Sequence, residues 1–278
     1  MNRTLVVYAW DGKSEPLSLV RAEGKPAFDV LVFDYSGRTE RASAGGWPVL
    51  SRATECKGEI YCEVAAWLSG REAQYDYVGL IDDDIELGWS DINTLLAIAA
   101  EHRLDSFQAA LSHDSHAAHA RLKARPGAAV RPLPWVEVMM PFYRTALFMA
   151  GVPYYANAIS SYGLDQFVMP TLQKLTGMER VGIVDAVVVR HGRPITSDGK
   201  VFRSGLTAHQ ERVMQWHAAR RQVAEERPEL VGSRWYLRTF SPLDGHHRFW
   251  TLRLLAPWML LRRALRFGLG ANRADPSG

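Results

Sequence analysis

Tyr75-Asp-Tyr-Val-Gly-Leu-Ile81 is an apolar run, and Asp82-Asp83-Asp84 follows it without a break. A run of this kind reads as a buried strand that delivers three carboxylates to the rim of a sheet. Strand alternation puts Asp82 and Asp84 on one side and Asp83 on the other. Carboxylates this dense raise each other's pKa unless a cation or hydrogen-bond donors neutralise them. Two on one side at a strand end suit a hard divalent cation that also holds phosphates. The other reading is a solvated acidic turn before a helix that starts near Ser90.

Outward from that run, strand-like and helical segments alternate. Leu5–Trp10 and Phe28–Asp34 are rich in strand-forming residues and end in the turn pairs Asp11-Gly12 and Ser36-Gly37. Ile60, Val64 and Leu68 recur at helical spacing within Gly58–Leu68. Ser90 reads as the N-cap of a helix to about Glu101, with Ile92, Leu95, Leu96 and Ala99 on its buried stripe. Phe107–Leu111 and Trp135–Met140 read as strands, and Val181–Val184 and Ala186–Val189 as two more. Leu164 to Leu175 carries a helical face that Pro170 must kink or restart. A polar helix is expected from Thr207 to about Glu226. This alternation predicts a doubly wound α/β fold, whose ligands sit at the carboxyl edges of the strands. No glycine-rich phosphate loop follows Leu5–Trp10, which argues against dinucleotide-binding and P-loop chemistry.

Composition sets the remaining bounds. The 278 residues, 47% hydrophobic and 23% charged, suit one large α/β domain with an appendage. A net charge of +3 gives no reason to expect nucleic acid as a partner of the whole molecule. Cys56 and Cys62 have neither zinc nor redox spacing and read as reduced thiols, as in a cytoplasmic protein. The N-terminus shows no signal-peptide pattern. From Arg234 onward, arginines face only Asp244 and Asp275. After Pro257, Trp258, Leu261 and Leu265 share one helical face, and Arg262, Arg263 and Arg266 another. Leu254–Leu261 would cover roughly 12 Å as a helix, far short of a bilayer core of about 30 Å. The sequence therefore predicts a domain over residues 1–230 and a basic amphipathic appendage over 231–278. That appendage would lie in the plane of an anionic membrane, peripheral on its cytoplasmic face, or else pack its apolar face on the preceding domain and expose its arginines. Oligomeric state leaves no mark in the sequence.

Several segments, in order, resemble a known pattern: Phe28–Gly37, Lys57-Gly-Glu-Ile-Tyr61, Tyr75–Ile85, Val136-Glu-Val-Met139, Tyr162-Gly-Leu-Asp165, and Val181–Asp185 with Val189-Arg-His-Gly-Arg-Pro194. The chain resembles a GT-A-type glycosyltransferase, and within that class a family of bacterial and plant proteins with an Asp-Asp-Asp element. The resemblance spans roughly Leu5 to Phe202. It implies a GT-A-like mixed sheet flanked by helices, a nucleotide-sugar donor, a glycan or lipid-linked acceptor, and Mn²⁺ or Mg²⁺. It places Asp84 and His191 on the metal, with Asp82 sharing it or holding the ribose, and Asp83, pointing to the opposite side, among the donor-binding residues. Asp165 matches the catalytic base of inverting members, and Glu137 an acceptor-binding position.

Residue chemistry adds Lys57, Arg193 and Lys200 as phosphate contacts and Trp10-Asp11 as a nucleobase clamp. His113 and His116, with His119, read either as an acceptor loop or as a second metal cluster. Asp165 has a competing role as a first-turn helix acid, which would lower its pKa. Glu137, between two valines, is expected to face away from them on a strand. A nucleotide- or sugar-binding module without catalysis, and a metal-dependent phosphotransferase or nuclease, remain open readings of the same acids.

Overall fold

Valine, leucine and aromatic residues dominate the segments that become strands, and in a computed structural model these form one sheet. The structure describes residues 3–21, 23–40, 43–44, 46–117, 119–194 and 199–240. In chain order the strands are β1 (Thr4–Trp10), β2 (Val20–Arg21), β3 (Asp29–Asp34), β4 (Ser43–Ala44), β5 (Trp47–Ser51), β6 (Tyr77–Ile81), β7 (Ile85–Gly88), β8 (Ser106–Leu111), β9 (Val130–Pro132), β10 (Phe142–Arg144) and β11 (Val181–His191). The helices are α1 (Lys57–Leu68), α2 (Trp89–Glu101), α3 (Thr145–Ala150), α4 (Val152–Tyr155), α5 (Met169–Thr176), α6 (Ala208–Glu226) and α7 (Arg234–Phe240).

The strand order is β2-β7-β11-β8-β10-β6-β1-β3-β5-β4, with β9 also on β11. β6, β1, β3 and β5 run parallel. β10 is antiparallel to both β6 and β8, and β8 is parallel to β11. The carboxyl ends of β1, β3, β6, β8 and β11 therefore share one edge, where a doubly wound sheet opens its ligand crevice. One apolar layer lies between the sheet and α2, and the other holds α1, α3, α4 and α5. This mixed, curled sheet between helices is a GT-A-like doubly wound fold.

Three local readings change. Trp135–Met140 is irregular chain, not a strand. Pro132, Pro134 and Pro141 surround it and remove ladder donors, and it meets the residue just after β6 where Asp82 N–H donates to the Met139 carbonyl at 3.0 Å. Helix α2 begins at Trp89, and its cap is Gly88, whose N–H donates to the Asp91 carboxylate at 2.7 Å. The pieces on either side of Asp185 are one strand with a register shift between Val184 and Val188. At that shift Asp185 accepts from Arg131 Nε (2.9 Å) and Arg125 N–H (2.9 Å). Arg131 also donates to the carbonyls of Arg121 and Lys123, which fastens the 113–131 segment down. The basic stretch 246–267 lies outside the described residues. Among the described residues no helix is long and apolar enough to cross a membrane.

Gly58 fixes the position of α1. Its N–H donates to the Ile159 carbonyl at 2.9 Å, and a Cβ there would stand 1.3 Å from the Ala158 carbonyl oxygen. Backbone cannot yield as a side-chain tip can, so Gly58→Ala is expected to cost roughly 3 kcal/mol. Thermal melts should show Tm lower by about 6–12 °C. A shift under 2 °C would mean that the two segments separate freely.

Candidate functional site

The strand β6 stops at Ile81, and a turn closes with Ile85 N–H donating to the Asp82 carbonyl at 3.3 Å. Asp82 pairs with Lys57, from the first turn of α1. Asp83 accepts the Tyr35 hydroxyl at 2.8 Å and pairs with Arg193, which also donates Nε to Asp84 at 3.2 Å. Arg193 thus bridges Asp83 and Asp84, while Asp82 and Asp84, and not Asp83, line the cavity beside them. Tyr35 is set by Asp34 just before it, a fully buried acid that accepts from Ser36, Thr39 and Ser51.

His191 reaches the triad because the end of β11 pairs with β7, and Gly192 N–H donates to the Asp84 carbonyl at 2.9 Å. Its Nδ1 donates to the His116 carbonyl at 2.7 Å, which turns Nε2 toward Asp84 Oδ2 at 3.2 Å. Burial works against the His191 charge, but the hydrogen bond and charge of Asp84 prevail and raise its pKa. Burial likewise works to raise Asp84, and His191, Arg193 and Lys57 overcome it, holding that carboxyl below its usual range. Asp82 moves the other way, to about 6, because burial outweighs Lys57 and the two neighbouring acids add to it.

A cavity of about 380 Å³ opens beside these groups. Lys57, Asp82, Asp84 and His191 form one end, Asp165, Gln166 and Arg212 belong to another part of its wall, and Glu137 and His119 complete it. Asp165 sits in a wide turn of π-helical geometry, Leu164–Val168, that leads into α5. Gly163 before it has φ +88°, and a Cβ there would meet Gln215 Cβ at 3.0 Å and Arg212 Cα at 3.3 Å, so only glycine brings this turn against α6. Asp165 is 5% exposed. Its pKa is raised to about 7, by burial first and then by the charge of Glu137, with Arg212 opposing. The first-turn position does not lower it, because desolvation exceeds what peptide dipoles return. Glu137 is also pushed to about 7 by burial, and its Oε2 is buried without a hydrogen-bond partner.

Other residues singled out in the sequence lie elsewhere. Lys200 Nζ is 3.5 Å from Glu55 Oε1 and does not line the cavity. Trp10 is 5% exposed, and its Nε1 donates to the Ser14 carbonyl at 2.9 Å. The Asp11 carboxylate accepts from Lys13, Ser14 N–H and Ser14 Oγ, so it closes its own turn. Trp10 does wall a second, open cavity of about 650 Å³ with Lys13, Arg38 and Glu40. His113 and His116 are exposed and contribute backbone: the His113 carbonyl accepts Lys123 Nζ at 2.6 Å, and His116 anchors His191. His119 faces the cavity, edge-on to Trp135 at 4.9 Å. Tyr35, Gln166 and Arg212 were not among the site residues expected from sequence. Tyr35 lies within the Phe28–Gly37 segment, whereas Arg212 lies beyond every motif, on a helix that reads as merely polar.

Asp84 Oδ1 is buried with no hydrogen-bond partner, and the His191 ring is anchored through Nδ1, the arrangement that orients a metal-ligating imidazole. Asp82 is occupied by Lys57. Among the described residues no three His, Cys, Asp or Glu side chains converge to hold an ion unaided. Asp84 and His191 fit as two protein ligands, a number that leaves room for phosphate oxygens and water.

No family model matches the chain, and neither does any curated protein. Among solved structures it is similar to Staphylococcus aureus TarS residues 1–349 in complex with UDP-GlcNAc, at 12% identity and a TM-score of 0.48, covering 95% of this chain and 88% of that one. It is also similar to GalNAc-T7 with UDP, GalNAc and Mn²⁺, at 11% identity and a TM-score of 0.49, covering 98% and 58%.

Proposed function

We propose that the protein is a glycosyltransferase that moves a sugar from a nucleotide-sugar donor to a hydroxyl of a glycan or lipid-linked acceptor, with inversion. The observation that carries this reading is the presence in one cavity of Asp82 and Asp84, paired with Lys57 and His191, and of Asp165, a buried carboxyl poised near neutral pH. In the reaction the acceptor oxygen bonds to the anomeric carbon as the bond from that carbon to the diphosphate oxygen breaks. The electron pair leaves with the phosphate, and the acceptor proton passes to Asp165. A carboxyl with a pKa of about 7 holds a proton well enough to take one and stays substantially ionised at pH 7 to do so.

Lys57 and Arg193 bring positive charge to the end where the leaving group gains negative charge. The Arg193 side chain is 54% exposed, so its fork can turn from the carboxylates to phosphate oxygens. A manganese or magnesium ion held by Asp84 and His191 would supply Lewis-acid stabilisation of the diphosphate. Asp82, on Lys57, sits beside that end as a contact for the donor.

A binding module without catalysis gains nothing from burying Asp165 and Glu137 at a cost in stability, which favours the enzyme reading. The test is incubation with uridine, guanosine and thymidine diphosphate sugars plus Mn²⁺, labelled in the sugar or in the β-phosphate. Release or transfer of labelled sugar from at least one donor is expected. Thermal stabilisation by nucleoside diphosphates with no turnover would establish the binding module instead, and labelled phosphate passed to an acceptor the phosphotransferase.

A further inference from the structure

Among the described residues lining the cavity, Arg212 is a cation with no carboxylate in ion-pair contact. Lys57 has Asp82 and His191 has Asp84, whereas Arg212 has no carboxylate within 4.0 Å among the described residues. The Arg212 guanidinium donates one hydrogen bond, to the neutral amide of Gln166, and lies 5.6 Å from the centre of the Phe167 ring. Its Nε is buried without a partner. Burial presses against this charge, and the nearby Asp165 and Tyr162 return only part of what is lost. A half-buried guanidinium whose Nε has no partner and whose side-chain hydrogen bond goes to a neutral amide is relieved when an oxyanion arrives.

The position says which molecule brings that oxyanion. The diphosphate end is already furnished with Lys57 and Arg193, so Arg212 is not needed there. Arg212 stands with Asp165 and Gln166, where a hydroxyl must enter to lose its proton. Ser161, with a left-handed φ of +66°, together with Ser160 and Tyr162, lines the same cavity. Facing Arg212 from other elements are Asp165 and Glu137, both raised toward neutrality, and His119, whose pKa burial lowers.

We propose that the acceptor is anionic: it carries a phosphate or carboxylate beside the hydroxyl that is glycosylated, and Arg212 seats that group while the hydroxyl faces Asp165. This deepens the transferase reading and rests on it for the word acceptor. The site itself is a hydroxy-oxyanion pocket that can be measured without turnover.

The experiment is calorimetric titration of the full chain, without donor, with glycerol 3-phosphate, glycerate and glycerol. Glycerol 3-phosphate, glycerate or both are expected to bind at least about tenfold more tightly than glycerol, the scale of one charge-assisted contact. Arg212→Gln should erase that preference, Arg212→Lys should keep part of it, and Arg193→Gln should leave it within about twofold, since Arg193 belongs to the other end. The phosphate and carboxylate arms tell which oxyanion is taken. Equal binding of the three compounds by the wild-type chain would overturn the proposal, as would a preference that survives Arg212→Gln or disappears only in Arg193→Gln. If Arg212→Gln does not fold, the lysine variant decides: a preference unchanged from wild type overturns the proposal. Absence of turnover with every donor would defeat the transferase reading and leave this binding result standing.

Discussion

Asp84→Asn is expected to lower sugar transfer by roughly a thousandfold, the scale of several kcal/mol of leaving-group stabilisation. The substitution preserves shape and removes one negative charge at the point where His191, Arg193 and the end of β11 meet. Two consequences follow from the contacts in place. Arg193 keeps only Asp83 as a charged partner, and His191 loses the negative charge that helped raise its pKa against burial. Imidazole titration followed by NMR should therefore show His191 releasing its proton at lower pH in the variant. The stabilising charge pair, present in the wild type below the raised His191 pKa, disappears with it. Asp83→Asn is a sharper comparison than alanine elsewhere, because Asp83 shares Arg193 but meets Tyr35 in place of His191. Turnover in Asp84→Asn within about tenfold of wild type would remove Asp84 from the chemistry.

The sheet edge was legible because the apolar run before Asp82 is long enough for a strand and ends abruptly in charge. The partners of those acids were less so. Lys57 and Arg193 stand 25 and 110 residues from the carboxylates they meet, and no local spacing encodes such a pairing. Asp82 and Asp84 line the cavity, whereas Asp83 meets Tyr35 and Arg193. Trp135–Met140 misled for a different reason: an apolar segment packed in the core looks like a strand until its prolines are weighed. In the histidine run, exposure separated the three residues. The sequence shows equal imidazoles, while the Arg131–Asp185 bond and the Trp135 ring bring only His119 into the cavity. Arg212 carried no signal, because a polar helix shows which face is wet and not which cation has been drawn inward.

Asp165→Asn should abolish transfer while making the folded chain more stable at pH 8, a pair of effects that a purely structural acid would not produce. The sign follows from the raised pKa. Unfolded, an aspartate ionises near its ordinary value of 3.8, whereas in the fold Asp165 does so at about 7. Between those values the native state holds the extra proton, so stability falls as pH rises from about 4 and reaches its full penalty above 7. A neutral asparagine carries no such penalty, and its Tm at pH 8 should exceed that of the wild type by at least about 3 °C, an increment of order 1 kcal/mol. At pH 4, where Asp165 is protonated in the fold, the two proteins should melt closer together. Activity runs the opposite way. The base form is the ionised one, so wild-type transfer should rise through pH 7 and fall about tenfold per unit below it. Glu137, also near 7, titrates in the same window, and Glu137→Gln should move the Asp165 step to lower pH by removing a neighbouring negative charge. A transfer rate independent of pH between 5 and 8, or an Asp165→Asn chain less stable than wild type at pH 8, would show that burial of this carboxyl serves packing and not proton removal.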